Sequence, residues 1–138
     1  MTNKELKKKA REIRSSLMLE VREYNIHDKN CYDLCVEFYK RCFDIELPNY
    51  NYDHKTNIPP SEVHNDWEIF HDKLELEIGD IIAFQSIAHK DGIHLGVYLG
   101  DGDFLDSQDA PCPIRVSSLD DVITEIKYYA RYTKIRRN

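Results

Sequence analysis

No stretch of this chain approaches the roughly 18–20 consecutive apolar residues of a membrane span, which argues against a membrane-crossing helix. Its start also lacks the apolar core of a signal peptide, because basic residues run straight into an amphipathic pattern. The expectation is synthesis in the cytoplasm, with any exported role reached by another route. A basic excess is missing too: the net charge is −6, and a nucleic-acid binder usually carries a basic footprint. The basic residues that cluster at Lys4, Lys7, Lys8, Lys9, Arg11 and Arg14, and at Lys134, Arg136 and Arg137, read as solvated helix and tail charge. Nor is there a disulfide framework. Cys31, Cys35 and Cys42 lie close together and Cys112 stands alone, and thiols of a cytoplasmic chain stay reduced. There is no internal repeat and no low-complexity segment.

What is present fits one folded domain. The chain has 138 residues, 41% of them hydrophobic and 32% charged, enough for a single core. Leu6, Ala10, Ile13 and Leu17 share one face of an amphipathic helix over residues 3–20, so 1–21 forms an N-terminal helix packed on the remaining 22–138. Polar residues from Tyr24 to Asn30 break that pattern. Helical spacing resumes in Cys31, Leu34, Cys35, Phe38, Tyr39 and Cys42. Residues 49–60 read as a loop, and Pro60-Ser61 suits a helix start with Val63, Trp67 and Phe70 along one face. Short apolar runs then follow at 81–84, 93–99, 104–105 and 114–116, with a β-rich segment at 127–134 as a closing strand. Ser117 to Asp121 reads as the cap of a short helix running to Ile126. Helices first and closely spaced strands after give an α+β fold, with helices packed on a central antiparallel sheet of about five strands.

The segment HLGVYLGDGDFLD, residues 94–106, raises a chemical question. Gly100-Asp101-Gly102 is a hairpin turn signal. His94 opens the strand before it and Asp106 ends the strand after it. Antiparallel pairing makes those ends neighbours, and their even separation keeps both side chains on one face unless a bulge intervenes. A base needs a substrate for its basicity, and Cys31 at the first turn of its helix is the candidate. A thiol reacts as the thiolate, which a partner imidazole and the positive end of a helix both favour. Asp106 would hold the ring through its other nitrogen. Each residue also has a plain structural reading: a buried apolar cysteine, a strand histidine, a turn aspartate. Cys35 and Cys42 belong to the apolar class. Asp80 after Gly79 organises a turn, and Trp67, Tyr50 and Tyr52 either anchor the core or line a cleft. His54, His64, His71 and His89 read as surface residues.

Together these segments match a family pattern. Cys31-Tyr32-Asp33-Leu34 with the exit Ile45-Glu46-Leu47-Pro48 resembles the cysteine-helix stretch of the NlpC/P60 cysteine peptidases, which have a papain-like fold. Leu76 to Phe84 (LEIGDIIAF) is similar to their L-x-x-G-D strand, and His94 to Gly102 (HLGVYLGDG) to the strand that carries the base. Ile114 to Leu119 resembles the later strand and turn. The resemblance covers roughly residues 22–134. It implies Cys31 as nucleophile, His94 as base and Asp106 as orienting residue, where many members have histidine at the third position. It also suggests Tyr24 and Tyr32 as oxyanion or substrate contacts. Asn30-Cys31-Tyr32-Asp33 departs from the common Asp-Cys-Ser-Gly, and the aromatic Tyr32 leans toward members related to phage tail and lysis proteins.

The implied activity is hydrolysis of an amide through a thioester, with bacterial peptidoglycan stem peptide as substrate and no cofactor. The implied setting is a virion-associated enzyme or one released to the cell wall, with a phage-tail or secretion partner. Two other readings keep the same fold: an acyltransferase or amidase acting on protein or lipid, and a non-catalytic phage tail or assembly component. A zinc site built from His27, Cys31 and Cys35 with His94 or His54 is a further alternative, although such sites more often use C-x₂-C turns.

Overall fold

The computed structural model describes residues 2–24, 31–48, 66–85, 93–107, 114–123 and 125–135. Helix α1, Asn3–Tyr24, runs past the expected end at residue 20. It opens on a reciprocal cap: the Glu5 amide donates to the Thr2 hydroxyl at 3.1 Å, and the Thr2 amide donates to the Glu5 carboxylate at 3.3 Å. That arrangement satisfies two of the amides a helix start leaves unpaired. Helix α2, Cys31–Phe43, has the bounds its apolar spacing predicts. It ends at Asp44, which takes a left-handed φ of 54°. The Asp44 amide then returns to the Lys40 carbonyl and the Ile45 amide to the Tyr39 carbonyl, which satisfies the last carbonyls of the helix.

Among the described residues six strands follow: β1 Trp67–Phe70, β2 Ile81–Gln85, β3 Ile93–Gly100, β4 Asp103–Ser107, β5 Ile114–Ser118 and β6 Ile126–Tyr132. They form one sheet in the order β1-β6-β2-β3-β4-β5, every pair antiparallel. Three expectations need correction. Trp67 and Phe70 belong to a strand, not a helix: Trp67 pairs with Tyr132 and Phe70 with Tyr129, giving the sheet a sixth strand. The segment after Ser118 forms only a 3-10 turn over Leu119–Asp121, because Ile126 already begins β6. The segment expected to close the sheet lies inside it, between β1 and β2.

Strand alternation divides the sheet into two faces. Ile81, Ala83, Leu95, Val97, Leu99, Leu105, Ala130 and Tyr132 face the helices and join Leu6, Ala10, Ile13 and Leu17 of α1 and Leu34, Cys35, Phe38, Tyr39 and Cys42 of α2 in one buried cluster. Full burial of each large side chain here contributes about 2 kcal/mol. Trp67 is core, packed edge-on against Tyr132. Cys35 and Cys42 are buried, as their spacing predicts. Arg41 of α2 pairs with Glu20 of α1 at 2.9 Å, which ties the helices together, and hydrogen bonding to Glu20 raises its pKa. The other face carries Ile82, Phe84, Phe104, Leu119 and Tyr129 as a second cluster.

Asp80 organises its turn as expected. Its carboxylate accepts the Glu77 amide at 2.8 Å, its own amide donates to the Glu77 carbonyl, and Gly79 takes a φ of 96° that favours glycine. Fully buried, it is held by Arg131 of β6 at 3.0 and 2.7 Å.

Candidate active site

The second face of the sheet carries the ionisable residues. His94 pairs directly with Phe84 of β2, and Asp106 pairs directly with Gly96 of β3 and Arg115 of β5. His94 and Asp106 are therefore not opposite each other. They are same-face neighbours displaced by two residues along β3, and the bulge that shifts the hairpin register lies between Tyr98 and Gly100, outside that interval. Diagonal neighbours of this kind are within reach of long side chains. Gly96 has no side chain to place across from Asp106, and a methyl there would meet Phe104 Cδ2 at 2.6 Å.

The diagonal closes. His94 Nε2 lies 3.3 Å from Asp106 Oδ2. That is long for a hydrogen bond. A carboxylate only accepts, so this contact favours the tautomer with hydrogen on Nε2 and the lone pair on Nδ1. The ring stands edge-on to Phe84, with centroids 5.0 Å apart, and Phe84 stands edge-on to Phe104. His94 is 9% exposed and Asp106 fully buried.

A buried carboxylate needs compensation, and β5 supplies it. Arg115 Nε lies 3.2 Å from both carboxylate oxygens, Arg115 Nη2 lies 3.2 Å from Oδ2, and the Ser117 hydroxyl donates to Oδ1 at 2.9 Å. Burial alone pushes the Asp106 pKa up, but hydrogen bonding and charge from His94 and Arg115 outweigh it and the net shift is downward. Sequence reasoning missed Arg115 and Ser117. The only signal was their period-two spacing in a strand next to Asp106, and register across a loop cannot be read from that.

The remaining expected residues are placed differently. Cys31 is the first residue of α2, and its side chain lies outside the described set, as does that of Tyr24, the last residue of α1. Tyr32 is 4% exposed and its hydroxyl donates to the Pro48 carbonyl at 2.7 Å, which makes it an anchor between α2 and the chain leaving it. His71 is exposed. His27, His54, His64, His89, Tyr50, Tyr52 and Cys112 lie outside the described residues, and with them most of the zinc alternative.

Residues 23–136 match the family model described as NlpC/P60 family. The chain belongs to the NlpC/P60 family. Solved structures agree on the fold. The chain is similar to NlpC2 and NlpC1 from Trichomonas vaginalis at 21% and 20% identity, with TM-scores of 0.54 and 0.55, covering 75% of this chain and 36% and 34% of those. An NlpC/P60 family protein from Bacillus cereus is similar at 25% identity and a TM-score of 0.52, with 75% of this chain and 32% of that chain covered. The chain thus spans about a third of the length of these relatives. No curated protein matches it. α1 lies almost wholly ahead of the NlpC/P60 match, yet its apolar face joins the same core.

Proposed function

We propose that this NlpC/P60 chain is a cysteine hydrolase that cleaves an amide bond in bacterial peptidoglycan stem peptides, with Cys31 as nucleophile, His94 as base and Asp106 as the residue that orients the ring. The observation that carries the reading is the His94–Asp106 contact, an imidazole whose Nε2 faces a buried carboxylate. Family membership supports the class of chemistry.

The position of Cys31 is supported by matched lengths. The Tyr39 hydroxyl donates to the Gly79 carbonyl, and the Gly79 amide donates to the Tyr98 carbonyl, which ties the C-terminal half of α2 to the Tyr98 end of β3. From Tyr39 back to Cys31 is about 12 Å of helix, and from Tyr98 back to His94 is about 13 Å of strand. For a helix running parallel to β3, the strand on which α2 chiefly packs, both residues would fall at one end of the sheet. His94 is on the face turned away from α2, so the thiol would meet the ring around the end of the strand and not through the sheet.

In the proposed reaction His94 Nδ1 takes the thiol proton and the Cys31 thiolate adds to the amide carbonyl. Backbone amides at the start of α2 stabilise the oxyanion. The imidazolium returns its proton to the departing amine as the C–N bond breaks and the thioester forms. Water, deprotonated by the ring, then releases the acid and restores the thiol. Purified muropeptides incubated with the wild type and with Cys31→Ala test this. The wild type should release a new amine terminus from the stem peptide, and Cys31→Ala should release none. Equal turnover by both proteins would sink the reading, and turnover only on protein or lipid acyl groups would remove the substrate assignment.

A further inference from the structure

Asp106 does not meet His94 alone, and the strand that supplies its other partners has no role in the reaction described above. We propose that Arg115 and Ser117 are positioning residues of this site: from the edge strand β5 they fix the Asp106 carboxylate against His94, and Arg115 cancels its charge. The proposal rests on the triad reading for its catalytic meaning, but its geometry stands without it.

The carboxylate is shared three ways. Oδ1 takes the Ser117 hydroxyl and Arg115 Nε, and Oδ2 takes Arg115 and faces the ring. An oxygen held from two directions cannot swing with the side chain, so the imidazole faces an acceptor with a set direction. The charges also balance. A lone buried carboxylate beside the ring would stabilise the imidazolium strongly, whereas a carboxylate already paired with a guanidinium does so less. With the ring neutral the cluster of His94, Asp106 and Arg115 has no net charge, and with the ring protonated it carries one positive charge. Among the described residues the groups against the carboxylate are His94 from β3 and Arg115 and Ser117 from β5, and those against the ring are Phe84 from β2 and Asp106 from β4. Helices α1 and α2 pack on the opposite face, and Cys31 enters only through the proposed reaction.

The Arg115 side chain is 44% exposed, so the competing role is contact with substrate. A titration separates the two. The pH midpoint of the His94 ring is followed by NMR in the full chain carrying Cys31→Ala, which removes coupling to the thiol and needs no activity. Arg115→Gln should raise the midpoint by roughly half a unit to one unit, because the carboxylate charge is no longer balanced. Arg115→Lys should restore most of it. Ser117→Ala should move it the same way by less, although Ser117 carries no charge, because the carboxylate loses a donor. This second variant also carries the test if Arg115→Gln does not fold. In the thiol-intact enzyme, Arg115→Gln should lower kcat about tenfold with KM little changed. A ring midpoint that stays put in both variants, or a raised KM with unchanged kcat, would overturn the proposal. An active Cys31→Ala enzyme would instead sink the hydrolase reading and leave the titration to decide this one.

Discussion

Asp80 and Asp106 are the same device built twice. Each is a fully buried carboxylate, and each is held by an arginine from the next strand, Arg131 of β6 or Arg115 of β5. They differ in what the remaining acceptor capacity does. Asp80 spends it on the Glu77 amide, which closes a turn, and Arg131 is itself tied to the Glu75 carbonyl and lies over the Phe70 ring at 4.8 Å. Asp106 spends it on the Ser117 hydroxyl and on an imidazole that titrates near neutral pH in its ordinary state. Burial and an arginine therefore do not distinguish architecture from chemistry. The third partner does: a backbone amide has one state, and a histidine has two.

Substitutions can separate the pair. Asp80→Asn should have the largest effect, on stability. It removes the buried counter-charge of Arg131, leaving the half-exposed Glu77 carboxylate at 3.7 Å, and should cost about 3 kcal/mol by chemical denaturation, toward the low end for broken buried pairs because Glu77 remains and Arg131 keeps 24% of its side chain exposed. The kcat of the folded fraction should not change. Asp106→Asn should do the reverse. Arg115 keeps 44% of its side chain exposed, against 24% for Arg131, and can turn to water, so the loss of stability is smaller, but the ring loses its anionic anchor. Turnover on muropeptide should fall about a hundredfold, equivalent to roughly 2.7 kcal/mol of transition-state stabilisation. If Asp80→Asn lowers kcat as far as Asp106→Asn does, the contrast between the two carboxylates is false.

The smallest effect is in the pH dependence of stability. Because the folded pKa of Asp106 lies below its unfolded value, its contribution is fully present above the unfolded value of about 3.9 and is lost as pH falls through the folded value. Protonation of His94 beside the carboxylate changes the gap between wild type and Asp106→Asn at higher pH, and below about pH 4 the gap should narrow as Asp106 itself is protonated. A gap that kept widening from about pH 4 to about pH 3 would reverse the sign of the Asp106 shift. Urea denaturation of both proteins from pH 3 to pH 7 measures it.

Sequence patterns resolved local features and failed on non-local ones. α2 was legible to its ends because the apolar residues from Cys31 to Cys42 repeat at a helical period with no competing pattern. The hairpin was legible from Gly100-Asp101-Gly102, where all three residues take positive φ. The placement of His94 and Asp106 on one face followed from that turn. Trp67 and Phe70 were misread because an i,i+3 apolar pair in four residues fits a helix as well as a strand. Pairing with β6, some sixty residues away, decided it. Arg115 was invisible for the same reason. Its partner is set by the register of β4 on β5, which no local spacing encodes.

The absent side chain at position 96 reaches further than its own strand. Phe104 lies so close over Gly96 that even a methyl would displace it. Phe104 braces Phe84, and Phe84 walls one side of the imidazole. The ring is thus set in place by a relay of aromatic edges that begins at a single hydrogen atom, and a chain that keeps this histidine but enlarges the residue two places after it must rebuild three side chains to aim it the same way.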